Sequence, residues 1–220
     1  FLKDNIWDFT EKIDGTNIRV YWDGHKVTFG GRTERAAIPA HLMNKLIELF
    51  GGEETEQLFE QTFGEKEVIL FGEGYGVKIQ NGGDYRSDVS FILFDVMIGD
   101  NYQPRSTVEA IATCFGIEIV PIVLSGTLQE GIDFVKTHPY STIGTAMMEG
   151  VVGRPKFELR DRCGNRVIVK IKRTTSRECE VLCNFFGHSL FCKTVFDDVL
   201  DSVKTVGFFC NILLFFQRSA

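Results

Sequence analysis

Apolar and polar positions alternate with the period of two of a half-buried strand over Ile6 to Lys12 and again over Thr16 to Trp22. Trp22-Asp23-Gly24-His25 carries the Asp-Gly chemistry of a tight turn and leads into a third run, Lys26 to Gly31, so an antiparallel meander is predicted. Leu42, Met43, Leu46, Ile47 and Phe50 then recur at helical spacing. Pro39 stands where a first turn tolerates it, and Gly51-Gly52 ends the run. A second, more polar helix over Glu53 to Phe63 turns Leu58 and Phe59 inward.

The pattern returns to strands at Glu67 to Phe71, which delivers Gly72-Glu73-Gly74-Tyr75-Gly76, an acidic residue held between glycines. A polar loop over Lys78 to Arg86 follows. Ser90 to Met97 is a continuous apolar strand whose Asp95 must find partners or lie at a pocket rim. Ser106 with Glu109 and Thr127 with Glu130 have the three-residue spacing of a capping box, so each predicts a helix start. Between these helices Ile117 to Leu124 reads as a strand with Pro121 at an edge or bulge. Met147 to Pro155 is a strand carrying Glu149. Asn165 to Arg173 is another, and its alternation places Lys170 and Lys172 on one face.

Two hundred and twenty residues with 44% hydrophobic and 25% charged content bound the chain to one sizeable globular domain with a short tail. The net charge of -6 argues against a general nucleic-acid coat. Its distribution changes that picture: Arg154, Lys156, Arg160, Arg162, Arg166, Lys170, Lys172, Arg173 and Arg177 stand against only Glu158 and Asp161, predicting a basic face. Phe1 to Thr10 lacks a basic start with an apolar core, and no run is long enough for a membrane span, so a soluble protein without membrane contact is expected. The expected state is a monomer, cytoplasmic or phage-encoded and acting in the host cytoplasm. The start at Phe1 suggests a fragment. Six cysteines in a chain this long do not form a secreted disulfide pattern, which points to a reducing interior.

Candidate chemistry centres on Lys12, between a strand and the turn at Asp14-Gly15. A lone Lys-x-Asp-Gly arises by chance in about one chain in twenty of this length. Transfer of a nucleotide onto a lysine requires a neutral amine, cations around a phosphate, a carboxylate for a divalent metal and a flat platform for the base. The chain offers each at a strand end: Lys12 as nucleophile, Glu149 for the metal, Glu73 for ribose hydroxyls, Phe94 as stacking face and Arg32 as phosphate donor.

The ordered series Glu11-Lys12-Ile13-Asp14-Gly15-Thr16-Asn17, Gly31-Arg32-Thr33, Phe71-Gly72-Glu73-Gly74, Phe94-Asp95-Val96, Glu149-Gly150-Val151-Val152 and Lys170-Ile171-Lys172 resembles the motif set of the covalent nucleotidyltransferases, the polynucleotide ligases and mRNA-capping enzymes. Thr16-Asn17 is similar to the bacteriophage RNA ligases of the second type and to RNA-editing ligases. Asp14 departs from the His that many of these carry. The resemblance implies an α+β adenylation domain over about residues 1 to 177, with two antiparallel sheets flanked by helices and a nucleotide cleft between them. It implies ATP as AMP donor, Mg²⁺ or Mn²⁺, and RNA with 5′-phosphate and 3′-hydroxyl ends as partner. By the same resemblance Glu11 reads the adenine amino group, Lys12 carries AMP, and Asp14, Gly15, Arg32, Glu73 and Phe94 complete the nucleotide site. Glu149 serves the metal, and Lys170 and Lys172 serve the α-phosphate. The alternatives are a DNA ligase or capping guanylyltransferase with the same lysyl chemistry, and a non-catalytic RNA-end binding module.

Beyond Arg177 the sequence is rich in Phe and Cys. Val181, Leu182, Phe185, Phe186, Val195, Phe196, Val199, Leu200 and Val203 are spaced for one apolar helix face, so a short helical appendage over 178–220 is expected, too short for an OB-fold. Cys179, Cys183, His188 and Cys192 approach a zinc knuckle with the wrong spacing and read better as core cysteines.

Overall fold

The computed structural model describes residues 2–33, 35–173, 179–185 and 188–193. Among them lie twelve strands in two sheets, antiparallel but for one short parallel pair, and four α-helices, an α+β architecture. The chain divides into two compact units. One holds Phe1–Lys12, Pro121–Thr142 and Met147 onward; the other holds Ile13–Val120 and Ile143–Ala146.

The first unit is built on β1 (Trp7–Glu11), β8 (Ile122–Gly126), β9 (Gly150–Pro155), β10 (Ile168–Arg173), β11 (Cys179–Phe185) and β12 (His188–Lys193), in the order β12-β11-β10-β9-β1-β8. Helix α4 (Leu128–Lys136) covers this sheet. Its N-terminus is closed by the expected capping box: Thr127 accepts from the Glu130 N–H, and the Glu130 carboxylate accepts from the Thr127 N–H. Trp7, Phe9, Val151, Val169 and Ile171 of the sheet meet Leu128, Ile132 and Val135 of α4 in one core. Phe9 sets the fit. A Cβ at Gly131 of α4 would come within 2.4 Å of its ring and one at Gly153 of β9 within 2.6 Å, so only glycines let helix and strand close on it.

The second unit carries β3 (Val27–Gly31), β2 (Thr16–Trp22), β4 (Val68–Gly76), β5 (Val89–Ile98) and β6 (Asn101–Tyr102) in that order, with β7 (Glu118–Ile119) parallel to β5. Helices α1 (Ala40–Phe50), α2 (Glu53–Phe63) and α3 (Arg105–Phe115) contribute to the core that Ile18, Val20, Leu70, Phe91 and Leu93 of the sheet line. Its centre is aromatic, with Phe59 stacked on Trp22 at 5.5 Å and tilted against Phe115 at 4.5 Å.

The expected antiparallel meander does not form: β2 and β3 make the predicted hairpin, but β1 has both edges taken by β8 and β9 in the sheet of the first unit. Over 179–193 the expected helical face is a β-hairpin, in which β11 pairs with β10 and β12 with β11. The same apolar residues satisfy both periods over so short a run. The open edge of β10 decides for strand, because pairing satisfies its backbone groups. The rest of the expected helix, residues 194–220, lies outside the described residues, as do the side chains of the Cys-x3-Cys-x4-His-x3-Cys set. Helix α3 starts one residue before Ser106, behind Pro104 and without a side-chain cap, and Glu109 instead takes the guanidinium of Arg105 at 2.7 Å. The strand expected over Ile117 to Leu124 breaks into β7 and β8, and the chain passes from the second unit to the first between Val120 and Pro121. Finally, β4 does not stop at Phe71 but runs through Gly72-Glu73-Gly74 to Gly76.

Candidate active site

In the first unit β1 ends at Glu11, and Lys12 follows with its N–H donated to the Gly150 carbonyl at 2.9 Å. Glu149 stands immediately before β9, its carbonyl accepting the Arg173 N–H at 2.9 Å. These two backbone bonds bring three motif side chains together. The Lys12 ammonium donates to Oε2 of Glu149, and the Lys172 Nζ lies 3.2 Å from Oε1 of the same carboxylate. Gly150 permits the approach, since a Cβ there would fall 2.1 Å from the Ile171 carbonyl oxygen. Along β10, Val169 and Ile171 are buried in the core while Lys170 and Lys172 alternate to the opposite face, as the period of two requires.

Glu11 is 1% exposed. Its Oε2 accepts from both the N–H and the hydroxyl of Thr142, at 2.9 and 2.7 Å, whereas its buried Oε1 has no hydrogen-bond partner among the described residues. A buried carboxylate oxygen left without a donor is costly, and a ligand N–H would relieve it. Thr142 carries no motif signal and was not singled out from the sequence.

Asp14, Gly15, Arg32, Glu73 and Phe94 belong to the second unit. The Asp14 carboxylate accepts from Asn81 Nδ2 at 3.0 Å, and its N–H donates to the Tyr85 hydroxyl at 3.4 Å, so the loop after β4 holds the turn. Gly15 lies against β4: a Cβ there would sit 2.4 Å from the Gly74 carbonyl oxygen and 2.8 Å from Glu73 Cγ. Glu73 is paired in register between Asn17 of β2 and Ile92 of β5. Phe71 pairs with Asp95 while the next residue, Gly72, pairs with Leu93, so Phe94 is the extra residue of a β-bulge. The bulge shifts the alternation by one. Phe91, Leu93 and Val96 pack into the helix-covered core, whereas Phe94 lies half-buried with Ile13, Tyr75, Tyr85 and Ile92. Arg32, just past β3, is exposed, and its guanidinium makes no ion pair among the described residues.

Among the described residues no group of three or more His, Cys, Asp or Glu could hold an ion. Glu149 is a single carboxylate flanked by two lysines. That arrangement does not fit an all-protein cage, but it fits Mg²⁺ or Mn²⁺ held largely by water and phosphate oxygens with one protein carboxylate.

The sequence matches the RNA ligase family over residues 5–172, and the chain belongs to that family. No curated protein matches it. Among solved structures it is similar to Naegleria gruberi RNA ligase. One mutant of that protein with ATP and Mn gives a TM-score of 0.56 at 19% identity, covering 70% of this chain and 47% of that one. The same ligase with PPi gives 0.55 at 20%, again over 70% and 47%. A mutant with AMP and Mn gives 0.54 at 18%, with the same coverage. At these identities the likeness shows the fold, and this chain spans about half the length of the proteins it matches. No helix among the described residues is long and apolar enough to cross a membrane.

Proposed function

We propose that this chain is an ATP-dependent RNA ligase that works through a lysyl-AMP intermediate and seals 5′-phosphate to 3′-hydroxyl ends. The observation that carries the reading is the Glu149 carboxylate shared between Lys12 and Lys172. Lys12 must lose a proton before it attacks, and the Lys172 charge on the shared carboxylate together with a divalent cation taken by Glu149 would favour that loss, with solvent receiving the proton. The Lys12 nitrogen then bonds to the α-phosphorus of ATP as the bond to pyrophosphate breaks. An oxygen of the RNA 5′-phosphate next displaces the lysine, which regains its proton, and takes AMP in anhydride linkage. The RNA 3′-hydroxyl finally attacks the 5′-phosphorus and AMP leaves.

Lys172, and Lys170 on the same face, supply positive charge where the α-phosphate gains negative charge in the transition state. A divalent metal, held by Glu149 and the nucleotide's own phosphates, would supply further charge neutralisation. Glu73 and Phe94 bind ribose and base, with Asp14 and Gly15 shaping the turn and Arg32 offering a planar fork to phosphate. Base choice follows from Glu11. Its unpaired Oε1 accepts the 6-amino group of adenine but opposes the 6-oxygen of guanine, which favours ATP over GTP. The experiment is self-labelling with α-labelled ATP and Mg²⁺, chased with 5′-phosphorylated RNA. Label is expected on the parent chain and absent from Lys12→Ala; a labelled Lys12→Ala would refute the assignment.

A further inference from the structure

The excursion joining β9 to β10 lies within the first unit and has no part in the chemistry above. It is a small built hairpin. The Val167 N–H donates to the Leu159 carbonyl and the Asp161 N–H to the Asn165 carbonyl, at 2.9 and 2.8 Å, with Arg160 and Arg166 as bridge partners between them. Leu159 and Val167 fix it to the unit's core, and Gly164 at φ 83° turns the tip.

Its acidic residues are used internally. Glu158 takes Arg160 at 2.8 Å and Arg166 at 2.9 Å, and the Asp161 carboxylate accepts from the N–H groups of Cys163 and Asn165 and from Asn165 Nδ2. Lys156 and Arg162 are exposed and make no ion pair among the described residues. Phe157 is 82% exposed. From Arg154 to Arg166 five cations face two carboxylates, in a chain whose net charge is -6. The cations continue toward Glu149, because Arg154 on β9 and Lys170 and Lys172 on β10 alternate to the side away from the core.

A single exposed Phe is ordinary. An outward Phe next to Lys156, on an arm that carries Arg162 toward its tip, neither cation ion-paired among the described residues, has the composition of a platform for single-stranded nucleic acid, where bases stack on the ring and phosphates meet the cations. We propose that this arm docks a single-stranded segment of the RNA substrate, with Phe157 stacking on a base and Lys156 and Arg162 taking the flanking phosphates. The inference rests on the RNA-sealing reading. Phe157 lies eight positions from Glu149, most of them in the extended β9, which is up to about 26 Å, so a strand that reaches several nucleotides from the reacting end is long enough to engage the arm.

The test uses the full chain with Phe157→Ala, Phe157→Trp and the double variant Lys156→Ala/Arg162→Ala. Self-labelling by α-labelled ATP without RNA should match the parent in all three, which also reports that they fold. Binding of a fluorescent 5′-phosphorylated single-stranded RNA should weaken about tenfold for Phe157→Ala. Phe157→Trp should retain affinity, and its indole fluorescence should fall on RNA addition. The double variant should lower the slope of log affinity on log salt by about 1 to 1.5. Parent-like RNA affinity and salt slope in Phe157→Ala and the double variant would overturn the arm. So would an equal loss of binding to anionic vesicles with no change in the Trp signal. A parent chain that binds RNA through the arm but never labels would instead remove the ligase reading and leave the arm standing.

Discussion

A carboxylate buried to 1% exposure with only one oxygen satisfied among the described residues costs free energy unless something arrives to use the other. That makes Glu11 the residue where nucleotide choice is most directly tested. If Glu11 reads the base as proposed, Glu11→Gln presents an amide there, able to donate as well as accept. ATP labelling should fall and GTP labelling rise, with the ratio of kcat/KM values shifting about tenfold or more, the worth of a hydrogen bond to a charged group. An unchanged ratio would mean that Glu11 does not read the base. Thr142→Val removes one of the two donors that orient Oε2 and leaves the backbone N–H. It should cost about 1 kcal/mol in ATP use, and Thr142→Ser should recover it. Glu11 and Lys12 are legible in the sequence because they sit inside an ordered motif. Thr142 is not, because it meets Glu11 across 131 positions of chain, from a loop with no period of its own.

At the scale of elements, the β2–β3 hairpin and helices α1 and α2 follow from apolar spacing alone, whereas the expected meander lost β1 to the sheet of the first unit, and the other errors have local causes. The Ser106 capping box failed because Pro104 starts α3 earlier and Arg105 captures Glu109. The bulge at Phe94 was hidden because a continuous apolar run shows no change of phase. The loop after β4 read only as polar, yet Arg86 braces it: its guanidinium pairs with Asp88 and donates to the Tyr75 hydroxyl at 3.1 Å and Glu118 at 2.7 Å. The same loop supplies Asn81 and Tyr85 to Asp14. Because Asp88 and Glu118 are half exposed, Arg86→Ala should cost only about 1–2 kcal/mol in urea unfolding. Faster amide exchange over 77–88 should accompany it. Tyr75 adds a pH signature. Burial, with the Glu118 carboxylate adding to it and Arg86 opposing, pushes its hydroxyl up to about 12. An unfolded tyrosine ionises near 10. The contribution is therefore complete below about pH 10 and lost as pH rises from there toward 12, where the unfolded tyrosinate is favoured. Urea midpoints should drop across that window, and Tyr75→Phe should flatten the drop; a drop of equal size in Tyr75→Phe would assign it to other groups.

On the scale of the whole chain, the organisation least visible in the sequence is the division into two units, since the boundary between Lys12 and Ile13 runs through the most recognisable motif. No linker composition marks it, because each unit is assembled from separated segments whose contacts are long-range. The C-terminal hairpin belongs to the same scale. Lys170 and Lys172 lie on β10, which is paired with β9 on one side and with Leu182 and Glu180 of β11 on the other. Val181 of β11 is 5% exposed and packs into the core beneath β10. Ending the chain after Arg177 would leave β10 as an open edge and remove that packing. Stability should fall by at least about 1.5–3 kcal/mol, the value of one buried Val, and the exposed ladder should promote self-association. ATP labelling should fall too, because the strand that aims Lys172 at Glu149 loses its outer support. Urea unfolding, light scattering and labelling of the shortened chain against the parent measure the three effects. A shortened chain with parent-like midpoint, scattering and labelling would show that β11 and β12 contribute nothing to the lysine site and that the tail is a dispensable appendage.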